Sequence, residues 1–230
     1  NIADQTSASE TVISYSFPNS TASFSANYGP EVTGGFKAFN DIHINATRLV
    51  LQEFSNVANL KFVEVPETGT DVGTLRFTFT DYDKSNPDVG GNSWGWAMGP
   101  YNQPDGGDVW VDSEHMVADA SWEQGVSYNF ANLIHEIGHA LGLDHPFAGT
   151  DTLATNLDLV NYTIMSYTQP DNFAAWNGSG AEADYLVSTS PMVYDIAAIQ
   201  HLYGAAEYNN GNTIYKYDPA KPVSEAIWDS

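Results

Sequence analysis

The hydrophobic positions of this chain fall into short alternating runs and longer stripes of helical period, separated by stretches rich in Gly, Asn, Asp and Pro. Thr11 to Phe17 alternates with a period of two, which predicts a strand closed by Pro18-Asn19. From about Phe36 to Asn56, the residues Phe39, Ile42, Ala46, Leu49, Val50 and Phe54 recur at intervals of three and four and predict a first long helix. His43 falls beside Ile42 on another face, with no partner histidine near it, and is read as structural. Leu60 to Val65 and Thr74 to Thr80 predict two more strands, split by the turn cluster Pro66 to Gly73. Trp94 to Met98 and Asp108 to Val111 read as short strands around a glycine and proline turn. Further on, Phe130, Ile134, Ile137 and Leu141 form one stripe of a second long helix, with Ser127 as its cap. Ser190-Pro191 opens a last helix to about Tyr203, ended by Gly204, with Ile196, Ile199 and Leu202 inward and His201 packed.

At 230 residues, with 42% hydrophobic and 13% aromatic content, the chain can bury a full core without covalent staples, and disorder is excluded. It has no cysteine, so disulfides and thiolate metal sites are excluded and His, Asp, Glu and carbonyl oxygens remain as the strong ligands. A formal charge of -22 repels phosphate backbones and anionic bilayers, which argues against nucleic acid and membrane partners and favours solubility in saline surroundings. No run of 18 apolar residues marks a transmembrane helix, and the start at Asn1 shows no leader.

The richest chemistry lies in His135-Glu136-Ile137-Gly138-His139-Ala140-Leu141-Gly142-Leu143-Asp144-His145-Pro146. On a helix His135 and His139 stand one above the other, so both imidazoles can reach one ion. Gly142 comes where a left-handed residue would end the helix and let the chain return His145 as a third ligand. Three nitrogens and one open position are the pattern of a catalytic zinc. Glu136, beside the first ligand, is placed to act as a base on water at that open position, and hydrolysis is the reaction implied. Asp158 or Asn161 are the candidates to support the histidines from behind.

With its methionine twenty residues past His145, Tyr162-Thr163-Ile164-Met165-Ser166-Tyr167 fits the methionine turn that accompanies this long histidine motif in the metzincin peptidases. Together with Asp195 to Gly204 and Phe39 to Val65, these residues make the chain resemble the serralysin family of secreted bacterial zinc metallopeptidases, over most of its length. The resemblance implies an α+β metzincin fold: a twisted, mostly parallel sheet with two long helices in an upper lobe (about 1–142), and an irregular lower lobe (about 143–230) carrying the C-terminal helix. One catalytic domain spanning 1–230 is expected, with the cleft between the lobes. Met165 would be the apolar floor under the ligands. Tyr167 would be a further zinc ligand that also stabilises the oxyanion. The segment Trp94-Gly95-Trp96-Ala97 would be the edge strand that binds an extended peptide by its main chain. Secretion to the outside of a bacterial cell, protein or peptide substrates, a proteinaceous inhibitor and a monomeric state follow from the same resemblance.

Departures from the family also count. Asp144 stands where the family has a small residue, and its carboxylate is expected to perturb the ligands. The glycine and aspartate repeats of the family's calcium-binding roll are missing, so the chain reads as the catalytic half alone. Calcium remains a second candidate ion at Asp81 to Gly91 and Pro104 to Asp108, where turn chemistry alone explains the composition equally well. His115, in the polar stretch Asp112 to Asp119, reads as part of a solvated loop, and Gln169 to Ser188 as the lower rim of the cleft. Two other classes stay open: a peptide-binding module without turnover, which has no need of Glu136, and a zinc amidase acting on non-peptide amides.

Overall fold

A computed structural model describes residues 10–26, 28–68, 71–82, 93–125, 127–170, 187–217 and 224–230. Five strands, β1 (Thr11–Ser16), β2 (Leu60–Glu64), β3 (Leu75–Thr80), β4 (Gly95–Ala97) and β5 (Val109–Asp112), form one sheet in the order β2-β1-β3-β5-β4. All pairs are parallel except β4 on β5, so the antiparallel strand is an edge. Four α-helices are described: α1 (Pro30–Thr33), α2 (Asp41–Val57), α3 (Tyr128–Ala140) and α4 (Val193–Tyr203). This is the α+β arrangement expected from the resemblance.

The central strand β3 is buried at all six positions, although it alternates apolar and polar residues. Leu75, Phe77 and Phe79 join the core with Val50, Leu51 and Phe54 of α2 and Ile134 and Ile137 of α3. The opposite face is polar and is covered by residues 24–26 and 28–37. Thr78 donates to the Lys37 carbonyl and Thr80 to the Glu31 carbonyl, while Arg76 lies 4.2 Å from the Phe24 ring centroid. Buried polar groups tolerate that position because each finds a partner.

Asn40 sets the start of α2 later than the apolar period suggests, by accepting from the Ile42 and His43 backbone N–H groups. The buried stripe is also rotated from the expected one: His43, Thr47 and Leu51 are buried, whereas Ile42 and Leu49 are exposed. His43 sits in an aromatic box of Phe39, Phe79 and Trp122, which supports a structural role. In α4 the inward residues include Ile196 and Ile199, but Leu202 and His201 are exposed, contrary to the expected packing. Helix α4 opens at Val193 and is capped by the Asp195 carboxylate, which accepts from the Met192 N–H, not by Ser190.

The loop Asp105 to Asp108 offers less to calcium than its composition suggests. Both Asp108 oxygens are taken, by Arg76 Nε at 3.0 Å, by Arg76 Nη2 at 2.5 Å and by the Tyr28 hydroxyl. Of the other candidate loop, residues 83–92 lie outside the described ones. Among the described residues, no helix is long and apolar enough to cross a membrane.

Candidate metal centre and cleft

Helix α3 is held at both ends in ways that aim its ligand face. At its start the Ser127 hydroxyl accepts from the Asn129 N–H, and the Asn129 side chain in turn accepts from the Trp94 indole. At its end Gly142 has φ of +101°, the Leu143 N–H donates to the Gly138 carbonyl and the Gly142 N–H to the His139 carbonyl. This pair of bonds is a Schellman ending, and it reverses the chain within two residues. Tyr203 at the end of α4 donates its hydroxyl to the Leu141 carbonyl and ties down the same turn.

The reversal brings His145 against His135 and His139. The three Nε2 atoms stand 3.0, 3.1 and 3.2 Å apart. His135 Nδ1 donates to the Ile164 carbonyl at 2.8 Å and His139 Nδ1 to the Leu143 carbonyl at 2.9 Å. Those two bonds put the protons of His135 and His139 on Nδ1 and turn their Nε2 lone pairs toward each other and toward His145 Nε2, a donor set that suits a cation. The three Nε2 atoms would hold a zinc ion, for which imidazole nitrogen is a usual ligand. The donor set therefore fits zinc, with one side open. Burial keeps the imidazoles neutral, as ligands must be: it lowers His135 to about 4 and lowers His139 and His145 as well, with the Asp144 carboxylate acting in the opposite direction on the latter two.

The supports behind the histidines are not the expected side chains. Asp158 accepts from the Ser166 hydroxyl, and backbone carbonyls take the work proposed for it or Asn161. Asp195, buried, accepts from the Thr163 hydroxyl at 2.6 Å and the Ile164 N–H at 2.7 Å, so it helps to fix the residue whose carbonyl holds His135. Burial pushes Asp195 up to about 6, against the pull of those bonds. Asp144 is exposed and accepts from the His145 N–H. The Phe147 ring stacks on His145 at 4.9 Å, a contact that composition and spacing gave no means to foresee.

Met165 is buried under the helix, so close that a methyl group at Gly138 would stand 2.8 Å from its sulfur. Tyr167 is 67% exposed, and its hydroxyl lies 2.7 Å from His145 Nε2. Burial raises its pKa, and the nearby Glu136 carboxylate adds to the rise. Glu136 itself is pushed up to about 8 by burial. Beside these groups opens a cavity of about 400 Å³ lined by Trp94, Gly95, His135, Glu136 and Tyr167, among others. Trp94 and Gly95 thus reach the cleft, whereas Trp96 and Ala97 are not among its lining residues. Trp96 packs edge-on against Tyr82.

The sequence profile of the matrixin peptidases matches residues 37–175, more than half of the chain and inclusive of all three histidines. The chain belongs to the matrixin family of peptidases. This matrixin-family chain is 31% identical to serralysin A of Dickeya chrysanthemi over 223 residues, covering 90% of the chain and 45% of the relative. It is 30% identical to a serralysin of Proteus mirabilis, covering 95% of the chain and 48% of the relative. It is also 32% identical to the metalloprotease AprA of Pseudomonas entomophila, covering 80% and 38%. The resemblance to serralysins read from the histidine and methionine motifs therefore holds across the chain. The chain spans less than half the length of these relatives.

Proposed function

We propose that this chain is the catalytic part of a zinc-dependent endopeptidase that cuts proteins outside a bacterial cell. The observation that carries the proposal is the convergence of three neutral imidazoles, backed by carbonyls, with Glu136 and Tyr167 in the wall of one open cleft. Zinc in that site supplies Lewis acidity, which lowers the pKa of water and polarises a carbonyl. Glu136, in the wall of the same cleft, takes the proton of the attacking water. Tyr167, whose hydroxyl stands over the ligands, donates to the oxygen on which negative charge develops. Strand β4, with Trp94 before it, presents an edge that no other described strand pairs, along which an extended substrate aligns its main chain. Residues 1–142 and 143–230 act as the two lobes of one domain, which works as a monomer and offers the same cleft to a proteinaceous inhibitor.

The test is hydrolysis of casein by the zinc-loaded protein, by the same protein with chelator, and by Glu136→Gln. Chelation should abolish activity and the substitution should lower kcat by about 10²–10⁴ while zinc remains bound. Cleavage that survives chelation, or full activity in Glu136→Gln, would refute the reading.

A further inference from the structure

The three ligand imidazoles are not held alike. His135 and His139 each donate from Nδ1 to a backbone carbonyl, that of Ile164 or of Leu143, and the bond fixes the plane of the ring. The contacts that described residues make with the His145 ring within hydrogen-bonding distance all fall on Nε2, from the other two imidazoles and the Tyr167 hydroxyl. Such contacts meet the edge that faces the ion and leave the rest of the ring unheld. The last torsion of a histidine side chain lies in a broad well, so the ring plane depends on what surrounds it.

The backbone of His145 is pinned on both sides. Its N–H donates to the Asp144 carboxylate at 2.7 Å, and its carbonyl accepts from the Ala148 N–H at 3.0 Å. The second bond closes a four-residue turn, with Pro146 in the second place, where its fixed φ belongs, and Phe147 in the third. The Pro146 carbonyl accepts from the Leu153 N–H at 2.8 Å and ties the turn to the chain beyond. This turn lays the Phe147 ring flat on the face of His145, with centroids 4.9 Å apart and planes 8° from parallel. Tyr167 and the other two histidines meet the same ring at 35–87°. Rotation about the Cβ–Cγ bond of His145 would drive a ring edge into Phe147, so the flat contact resists the torsion that the turn leaves free. An imidazole that shares its lone pair with a cation becomes electron-poor, and the negative face of Phe147 favours that state.

We propose that Phe147 is a positioning residue for the metal: its ring face sets the plane of His145, the part that backbone carbonyls play for His135 and His139. The inference rests on the zinc site of the peptidase reading and not on turnover. Phe147 also touches Tyr167, with ring centroids 5.3 Å apart, so an effect carried by His145 must be told from one carried by the phenol. Half of Phe147 faces solvent, at 46% exposure, so its removal takes little from the core.

The test measures zinc affinity by competition with a chelating dye, and the visible spectrum of the cobalt-loaded protein as a reading of ligand geometry. Phe147→Ala should weaken zinc binding by about tenfold or more and alter the cobalt bands, as the loss of other outer partners of metal-bound histidines does. Phe147→Tyr keeps the flat face and should bind zinc within about twofold of the wild type with the same bands, whereas Phe147→Leu keeps only apolar bulk and should lose nearly as much as alanine. In a Tyr167→Ala background the loss on Phe147→Ala should persist. The metal-free variants should melt with the metal-free wild type. Unchanged affinity in Phe147→Ala, full affinity in Phe147→Leu, a loss that vanishes without Tyr167, or a matching fall in the metal-free Tm overturns the proposal. Casein hydrolysis is followed in parallel. A protein that binds zinc with these preferences and never cuts casein upholds the role of Phe147 and sinks the peptidase reading, and a wild type that takes up no zinc overturns both.

Discussion

Replacing Gly138 by alanine sets two effects of similar size against each other, and the structure decides the sign. In a helix interior the change is worth about 1 kcal/mol in favour of alanine, from backbone entropy alone. At Gly138 the new methyl carbon would lie 2.8 Å from Met165 Sδ and 3.4 Å from a methyl of Leu143. A comfortable carbon–sulfur contact is about 1 Å longer than the first of these, and overfilled cores lose roughly 1–3 kcal/mol. Met165 is only 2% exposed, so its thioether has little free space to swing into, even though methionine is the most adaptable of the large apolar side chains. The clash should win by about 1 kcal/mol, which for a chain of this size lowers Tm by roughly 2–4 °C. Zinc affinity should fall with it, because Met165 adjoins the Ile164 peptide that holds His135. Calorimetric melting of the zinc-loaded protein and a competitive zinc titration measure the two. Met165→Val, which removes the sulfur, should then turn Gly138→Ala from destabilising to stabilising, a coupling of about 1–3 kcal/mol in a double-mutant cycle. A rise in Tm for Gly138→Ala alone, or an equal loss in both backgrounds, would refute the steric account.

Two further outcomes follow from buried carboxylates. Asp195 is raised to about 6 in the folded chain, above its unfolded value of about 3.9, so the stability it contributes is complete below about pH 4 and is lost as pH climbs through 6. Two pKa units correspond to about 3 kcal/mol, and urea titrations between pH 4 and 8 should show Asp195→Asn gaining on the wild type by that order as pH rises; a constant difference would contradict it. Arg76→Met strands the buried Asp108, otherwise held by Tyr28 alone among the described residues, and should cost roughly 3–5 kcal/mol, whereas Arg76→Met with Asp108→Leu should recover most of it. An equal loss in single and double variants, read from denaturant midpoints, would show that the charge is not the cause.

The parts of this molecule legible in the sequence are those where one residue type at one spacing has a single physical use. His135, His139 and His145 could be placed around an ion because helical geometry and a glycine reversal leave little other freedom, and Gly142 does adopt the left-handed conformation that the spacing requires. The stripe of α3 was legible for the same reason, since Phe130, Ile134 and Ile137 are all fully buried. Where two stripes compete, periodicity misleads. Helix α2 buries His43 and Thr47 and leaves Ile42 and Leu49 outside, because the His43 ring packs in an aromatic box and accepts from the Asn40 N–H, and the Thr47 hydroxyl donates to the His43 carbonyl. Leu202 was placed inward by its spacing from Ile199, yet α4 is apolar on several faces and its contacts, not its period, choose which one packs.

Supports made by the main chain are invisible for a different reason: a carbonyl has no letter of its own. The Ile164 and Leu143 oxygens that fix the tautomers of His135 and His139 could belong to any residue with the right backbone path. Asp195 does have a letter, and its place at the start of α4 signals a cap, but its second duty on Thr163 and Ile164 depends on packing 31 and 32 residues away. The chain from Asp195 through the backbone of Ile164 to His135 therefore joins the last helix to the first ligand through two hydrogen bonds. Such a chain constrains ring orientation only if both bonds stay short together. That coupling explains why a carboxylate is held there despite burial, since Asp195 accepts from three donors at once, the Ile164 and Met192 N–H groups on one oxygen and the Thr163 hydroxyl on the other, and a side chain too short to reach them would leave both N–H groups unmet.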